Sequence, residues 1–320
     1  MISLQRKAVR SVAFATHSAR SKHKFMLFLT AYVDESGHSV DPRARFVGLG
    51  GLVAPVSRWE KFTDQWGAAL DEFIGGQEFH MKEFILIPGI GPYVGWDENR
   101  RQKFMGRLIA AIIESEAAPV AAIVSLDARD ALHPTHQEFF GDPYFTAFQQ
   151  VTRGLSLAAL PREVPFEPET VSMVYAYQKD FGAINSGSDA PQNQGRAESL
   201  WHAMKEKTIF GQWMGAYSSD TPKNMLPLQA ADLFAYEITH EFENQLKRPE
   251  LAMRWPLKQI LSKLVTRQPL IKLFTLDVMI ETLIENGVIS PNGDDATAFG
   301  MSAALSKINV RQSLMERARA

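Results

Sequence analysis

The sequence of 320 residues predicts an α/β fold in which helices flank a mixed β-sheet. Two strand-like segments joined by a short link come first, and helix-like and strand-like segments alternate after them. A long apolar helix-like segment follows the last of these strands. A short link favours an antiparallel hairpin, and alternation of strands with helices is typical of a sheet that helices cover. We therefore expect a sheet that starts with an N-terminal antiparallel hairpin.

The hairpin is predicted at residues 25–34 and 45–53. The first run is rich in aromatic and β-branched residues and is followed by Ser36-Gly37, which is typical of a strand that leads into a turn. The second run contains glycines, which permit a bulge or the close approach of another backbone. Asp34 therefore stands at the end of a strand.

Ser57 is a candidate N-cap for a helix that continues to Phe73, because apolar residues recur there at helical spacing. Pro227 opens another helix, at a position that favours proline. The other predicted elements are helices at 98–116, about 142–160 and 228–246, and strands at 120–126, 171–177 and 209–217. Residues from 255 onward show the pattern of amphipathic helices.

Three regions follow from these elements: a flexible basic extension at 1–25, an α/β domain at 26–250, and a helical appendage at 251–320. The first thirty residues contain no acidic side chain, as in a transit peptide, and the apolar run 25–33 resembles the core of a secretory signal. The run is too short to span a bilayer, and no small-residue cleavage site precedes Asp34. We therefore interpret the run as the first strand.

The composition excludes several classes of function. A net charge of -2 indicates neither nucleic-acid nor membrane binding, although a local basic groove is compatible with it. The absence of cysteine excludes disulfides, thiolate nucleophiles and cysteine-ligated zinc, and it fits a cytoplasmic protein. Neither a phosphate-binding loop nor a serine-hydrolase elbow is present. A metal site would use carboxylates, histidine and water, and the oligomeric state is not predicted.

The motif Tyr-Val-Asp-Glu-Ser-Gly at 32–37 places Asp34 where its side chain can project into a cleft. Strand ends are where α/β proteins bind ligands. Glu35 points to the opposite side of the sheet if the extended geometry persists. The alternative is that these residues form only a polar turn.

The motif Leu-Gln-Ala-Ala-Asp-Leu at 228–233 is more specific. Gln229, Asp232 and Tyr236 form one polar line on an otherwise apolar helix, and the neighbouring alanines permit close packing. An aspartate in such surroundings requires a partner. It is either a ligand or a buried structural residue that caps another element or pairs with an arginine.

The segment 77–83 offers a third set of polar groups. Alternation in an extended segment would place Glu78, His80 and Lys82 on one face, opposite Phe79 and Met81. Histidine can bind metal or transfer protons, and lysine can neutralise phosphate. An exposed polar edge without function is the alternative.

These motifs together resemble a family of bacterial and phage proteins that is called domain of unknown function number thirty-eight hundred. The resemblance depends on the motif at 32–37 followed by Phe-Val-Gly-Leu-Gly-Gly at 46–51, on Glu-x-His-x-Lys-Glu at 78–83, and on the motif at 228–233. It covers about residues 26–260. The family is similar to the ribonuclease H-like fold, whose members place one acidic residue on the first strand and another on the last helix around two divalent cations.

The resemblance implies that Asp34 and Asp232 bind Mg²⁺ or Mn²⁺. It implies accessory roles in catalysis for Glu35, His80 and Lys82. Substrate contacts are expected from Ser36, Gln229 and Lys179, and Gln229 has the alternative role of orienting Asp232.

One departure from the family concerns the middle strand. Relatives often carry an acidic residue there in a pattern like Val-Phe-Glu-x-Gln, whereas this chain has Ala176 at the acidic position. A missing ligand weakens a two-metal site. Either Asp180 replaces it as a metal ligand, or this copy is inactive.

The leading hypothesis is a divalent-metal-dependent nuclease or phosphoesterase that cleaves phosphodiester bonds with metal-activated water. The alternative is a catalytically inactive ribonuclease H-like binding module of a phage-defence or mobile-element system. The intact motifs around Asp34 and Asp232 favour the enzyme. Ala176 and the absence of a basic excess favour the binding module.

Overall fold

The predicted hairpin is present, and it forms the centre of a six-stranded sheet. Strand β1 (Leu29–Ser36) pairs antiparallel with β2 (Phe46–Pro55) along its whole length. The structure is a computed structural model, and it describes residues 29–37, 45–87, 89–158, 170–177, 196–264, 270–274, 276–285, 287–288 and 316–318. The predicted extension at 1–25, the first residues of the predicted strand 25–34, and both Lys179 and Asp180 lie outside these ranges.

The other strands extend the sheet on both sides of the hairpin. They are β3 (Ala118–Ser125), β4 (Val171–Ala176), β5 (Met214–Asp220) and β6 (Leu270–Phe274). Their order across the sheet is β5-β4-β1-β2-β3-β6. The pairs β1–β2 and β2–β3 are antiparallel, and the remaining neighbours are parallel. The prediction of a mixed α/β sheet is therefore confirmed.

Helices connect the strands and cover both faces of the sheet. They are α1 (Val56–Ile74), α2 (Met81–Phe84), α3 (Glu98–Glu114), α4 (Leu126–Asp130), α5 (Pro134–Phe140), α6 (Pro143–Ala158), α7 (Arg196–Lys207), α8 (Leu226–Lys247), α9 (Trp255–Lys263) and α10 (Leu276–Glu285). Within the described ranges, no helix combines the length and apolar character needed to cross a membrane.

Alternation along the strands divides the core into two layers. Tyr32 points to one face, where it packs with apolar residues of α1, α3, α8 and α9. Val33 points to the other face, where it packs with residues of α6, α7 and α10. Because successive side chains of a strand point to opposite faces, every residue of β1 belongs to one layer or the other.

Two predicted boundaries are wrong for local reasons. Helix α1 begins at Val56 after Pro55, and no side chain caps it, so Ser57 is not the N-cap. The strand predicted at 209–217 begins later, because Ile209–Trp213 forms a 3₁₀ helix and β5 continues to Asp220. This shift places an aspartate at the end of β5.

The prediction of only helices after residue 251 is also wrong. Residues Leu270–Phe274 form β6, which pairs parallel with β3 and lengthens the main sheet. A five-residue segment is too short for its periodicity to distinguish a strand from a helix. The pairing with β3 decides the conformation of this segment.

Helix α8 crosses β2 at very close range, and glycine makes this possible. A Cβ atom added to Gly50 would lie 2.6 Å from the Cα atom of Ala235. A Cβ atom added to Gly48 would lie 2.2 Å from the Oγ1 atom of Thr239. The small residues predicted to permit close packing therefore meet each other, and this contact sets the height of α8 above the sheet.

Glu237 of α8 is completely buried in this layer, and its charge is poorly compensated. Arg254 lies with Nη2 3.1 Å from Glu237 Oε1, but neither carboxylate oxygen accepts a well-formed hydrogen bond. Burial raises the pKa of Glu237 to about 7, and the positive charge of Arg254 only partly offsets this effect. The ionised form of Glu237 therefore destabilises the folded protein.

We expect Glu237→Gln to stabilise the protein at pH 8 by about 1–3 kcal/mol. The pKa of Glu237 is higher in the folded protein than in the unfolded chain, so the folded protein binds this proton more tightly. The stabilisation from the bound proton is complete below pH 4.5 and is lost as the pH rises toward 7. Urea unfolding of both proteins between pH 5 and pH 8 measures the difference. An equal dependence of the unfolding free energy on pH in both proteins would contradict the prediction. The half-exposed Arg254 remains hydrated in the variant.

Candidate functional site

Asp34 lies near the end of β1 and points toward α8. It pairs across the hairpin with Gly50, and the side-chain direction at Gly50 leads to Ala235 of α8. Cross-strand partners point to the same face of a sheet, so the Asp34 carboxylate faces α8 as well. Asp34 is only 8% exposed, and its Oδ1 atom accepts a hydrogen bond of 2.7 Å from the backbone N–H of Glu35.

Asp232 faces this position from the first half of α8. Its side chain is 13% exposed. The backbone N–H of Met81 donates to Asp232 Oδ2 at 2.9 Å, and the Nδ1 atom of His80 lies 3.1 Å from the same oxygen. Asp232 therefore holds the segment before α2 against α8.

The charge of Asp232 acts on the carboxyl group of Asp34. The pKa of Asp34 is raised well above its usual value, first because the carboxyl group is buried and second because Asp232 is negatively charged. The N–H of Glu35 acts in the opposite direction, and the charges of Glu35 and Glu78 add to the increase. The structure thus brings together two acidic residues that lie far apart in the sequence.

His80 and Glu78 complete this group, which we call the acidic site (Asp34, Glu78, His80 and Asp232). The pKa of His80 is raised, mainly because its ring bonds to Asp232. The pKa of Glu78 is raised by partial burial and by Asp232, against the opposing charges of His80 and Lys223. Negative charge therefore dominates the site.

The alternation predicted for residues 78–81 is confirmed, although the extended segment ends before Lys82 and a helix begins at Met81. Phe79 and Met81 are buried, and Glu78 and His80 are exposed. His80 has extended backbone angles, but α2 begins at Met81, so Lys82 lies in a helical turn. Lys82 is exposed to solvent.

Glu35 and Ser36 are partly buried at the end of β1. Glu35 pairs with Leu49, whose side chain packs in the layer that contains Val33. The prediction that Glu35 points to the opposite side of the sheet from Asp34 is confirmed. Glu35 therefore lies across the sheet from Asp232, and its predicted accessory role in catalysis stays a prediction, as does the substrate contact of Ser36.

Gln229 joins three parts of the protein around the acidic site. Its Oε1 atom accepts hydrogen bonds from Trp66 Nε1 at 3.0 Å and from the N–H of Phe79 at 3.2 Å. Its Nε2 atom donates to the carbonyl oxygen of Pro222 at 3.0 Å. The side chain is buried, so these contacts position the segment that carries Glu78 and His80. The predicted substrate contact of Gln229 stays a prediction.

We expect Gln229→Ala to destabilise the protein by about 2–4 kcal/mol, because it leaves the buried Trp66 and Phe79 donors without their acceptor. Gln102→Ala, at an exposed position on α3, is the matched control and should cost less than about 0.5 kcal/mol. Urea unfolding measures both. A small effect at Gln229 would show that these hydrogen bonds contribute little to stability.

Ala176, where the resemblance predicts an acidic residue, is the last residue of β4. The register that pairs Val33 with Tyr175 places Ala176 next to Asp34, and Ala176 pairs in turn with Asp220 of β5. The strand predicted at 209–217 ends before Asp220, so the sequence prediction does not include this residue. Its Oδ1 atom accepts from the N–H of Thr221 and from Asn224 Nδ2, so it stabilises the turn after β5.

The fit of a divalent cation depends on Asp34 and Asp232. Within the described ranges, no group of three or more histidine, cysteine or acidic residues is arranged to hold a metal ion. Mg²⁺ needs only one or two protein carboxylates when water and substrate phosphate supply its other ligands. The buried Asp34 carboxylate and the partly buried Asp232 carboxylate suit such an ion, because it would offset the effect of the one charge on the other.

No protein-family model, curated protein or solved structure is significantly similar to this chain.

Proposed function

We propose that the protein is a divalent-metal-dependent nuclease, or a related phosphodiesterase, of the ribonuclease H-like class. The observation that carries this proposal is that buried Asp34, at the end of β1, and little-exposed Asp232, on α8, lie close enough for the charge of Asp232 to raise the pKa of Asp34. A buried Asp34 carboxylate close to the partly buried Asp232 is costly unless a proton or a cation neutralises the charge.

The topology supports the same class. Strand β1 lies between the antiparallel strand β2 and the parallel strand β4, and α8 follows β5 and returns across β1 and β2. One acidic residue is therefore on the first strand and the other on the helix that follows β5. This is the placement that the resemblance to ribonuclease H-like proteins implies.

Asp34 and Asp232 would hold Mg²⁺ or Mn²⁺, which activates water and stabilises charge on the leaving oxygen of a phosphodiester. His80 is positioned by Asp232, and its raised pKa keeps the imidazole protonated to higher pH than usual. A protonated His80 can donate a proton or neutralise phosphate charge. Exposed Lys82 follows on α2 and can approach a phosphate from solvent.

One observation favours a second candidate, a non-catalytic ribonuclease H-like binding module of a phage-defence or mobile-element system. Ala176 lies next to Asp34, where an acidic residue would complete a two-metal site. A protein that had lost this ligand could retain the fold and bind a partner without cleaving it.

A cleavage assay with Mn²⁺ distinguishes the two candidates. We expect the wild type to cleave single- or double-stranded nucleic acid, and Asp232→Asn to reduce the rate by about 10²-fold or more. Asp71→Asn, at an exposed position on α1, should leave the rate unchanged. The absence of both cleavage and a thermal shift with Mg²⁺ or Mn²⁺ would favour the binding module.

A further inference from the structure

A cleft of about 650 Å³ lies beside the acidic site, between α2, α3 and α9. We call it the α2–α9 cleft, and its lining includes Met81, Phe84, Ile87, Glu98, Gln102 and Trp255. Its volume is within the range of about 300–1,000 Å³ that is usual for small-molecule sites. The cleft is therefore large enough for an aromatic ring system with its substituents.

Met81 connects the cleft to the acidic site. Its side chain lines the cleft, and its backbone N–H donates to Asp232 at 2.9 Å. His80, the preceding residue, has its ring 3.1 Å from the same carboxylate. Because Met81 contributes its side chain to one and its backbone N–H to the other, the cleft and the acidic site adjoin at this residue.

The walls of the cleft combine large apolar side chains with those of Arg101 and Arg254, and they are partly open to solvent. Trp255 is 49% exposed and Ile87 is 83% exposed, although both are large apolar side chains. Phe84 and Met81 form the buried floor. A half-exposed tryptophan in a cleft is a surface on which a planar ring can stack.

The rim adds a hydrogen-bonding pair. Gln102 Nε2 donates to Glu98 Oε1 at 2.9 Å, and both residues line the cleft from α3. The amide oxygen of Gln102 and the second carboxylate oxygen of Glu98 remain as acceptors for an edge that carries N–H groups. Nucleobases combine a stackable face with such an edge.

We propose that the α2–α9 cleft binds an unpaired base of a single-stranded nucleic acid, next to the phosphodiester that the acidic site would cleave. This inference depends on the proposed function, because it names the substrate of the same site. A base inside a duplex is stacked and paired, so only an unpaired base can enter the cleft. Exposed Lys82, which follows Met81, is positioned to neutralise the phosphate that joins the two sites.

The test measures binding separately from cleavage. A fluorescent single strand of about twelve nucleotides and the matching duplex are titrated with wild-type protein in EDTA, and anisotropy is recorded. We expect the single strand to bind more tightly than the duplex. Trp255→Ala should weaken single-strand binding about tenfold or more, and Trp255→Phe should restore most of it, because a phenyl ring can also stack.

Phe139→Ala is the matched control, because Phe139 is an exposed aromatic residue on α5 with a similar exposure of 45%. It should leave binding unchanged. Unfolding curves of all variants establish that they fold. Equal binding by wild type and Trp255→Ala, preference for the duplex, or no binding at all would overturn the inference.

The failure of the inference and the failure of the proposed function have different signatures. If the protein cleaves with Mn²⁺ but Trp255→Ala does not change single-strand binding, the base site is overturned and the proposed nuclease function stands. Binding that depends on Trp255 without any cleavage would support the base site and favour the non-catalytic module.

Discussion

Asp34→Asn is expected to abolish metal-dependent cleavage and, at the same time, to stabilise the metal-free protein. Asparagine has nearly the shape of aspartate but carries no charge, so the repulsion from Asp232 and the cost of burying a carboxylate both disappear. We expect a gain of about 1–3 kcal/mol at pH 8 without divalent ions. Thermal unfolding in EDTA and the Mn²⁺ cleavage assay measure the two effects. Such a trade between stability and activity is typical of functional sites.

The same variant should change the dependence of stability on pH. The folded pKa of Asp34 lies above its unfolded value, so the folded protein binds the proton more tightly. The resulting stabilisation is complete below about pH 4 and is lost as the pH rises toward the raised folded pKa. The difference between wild type and Asp34→Asn should therefore grow with pH over this window. Asp71→Asn is the control, and a destabilised Asp34→Asn protein would show that Asp34 is a structural residue.

Gly50→Ala is expected to destabilise the protein by about 3 kcal/mol, at the upper end of the range for overpacking. The new methyl group would lie 2.6 Å from the Cα atom of Ala235, so the backbone of α8 would have to move. Asp232 lies one turn before Ala235 on the same helix. We therefore expect the thermal shift with Mn²⁺ to decrease as well, because the movement of α8 would displace Asp232 relative to Asp34.

Gly106→Ala is the matched control for this substitution. Gly106 lies within α3, and a Cβ atom there meets no other atom within 4 Å. Alanine should stabilise this helix by about 0.5–1 kcal/mol. Urea unfolding and the Mn²⁺ thermal shift measure both variants. If Gly50→Ala keeps the stability and the ion response of the wild type, the close contact between α8 and β2 does not position the site.

The parts of the fold that the sequence predicted correctly have strong local signals. The hairpin, α3 and α8 have long runs with a clear period, and Pro227 marks the start of α8. The alternation around Phe79 was also predicted correctly, because an extended segment has a period of two whatever surrounds it. The errors at Ser57, at the start of β5 and at β6 occur where short segments depend on their neighbours.

In the candidate site, too, some features have a local signal in the sequence and others depend on tertiary contacts. The sequence by itself identified Asp34 and Asp232, because each is an acidic residue in an otherwise apolar element and therefore requires a partner. Only the tertiary structure placed Asp232 beside Asp34, joined His80 and Met81 to it, and enclosed Gln229 between Trp66 and Phe79. These contacts link residues that are distant in the chain, and both Asp232 and Gln229 lie on α8, which packs closely on Gly50. Local periodicity carries no information about such distances.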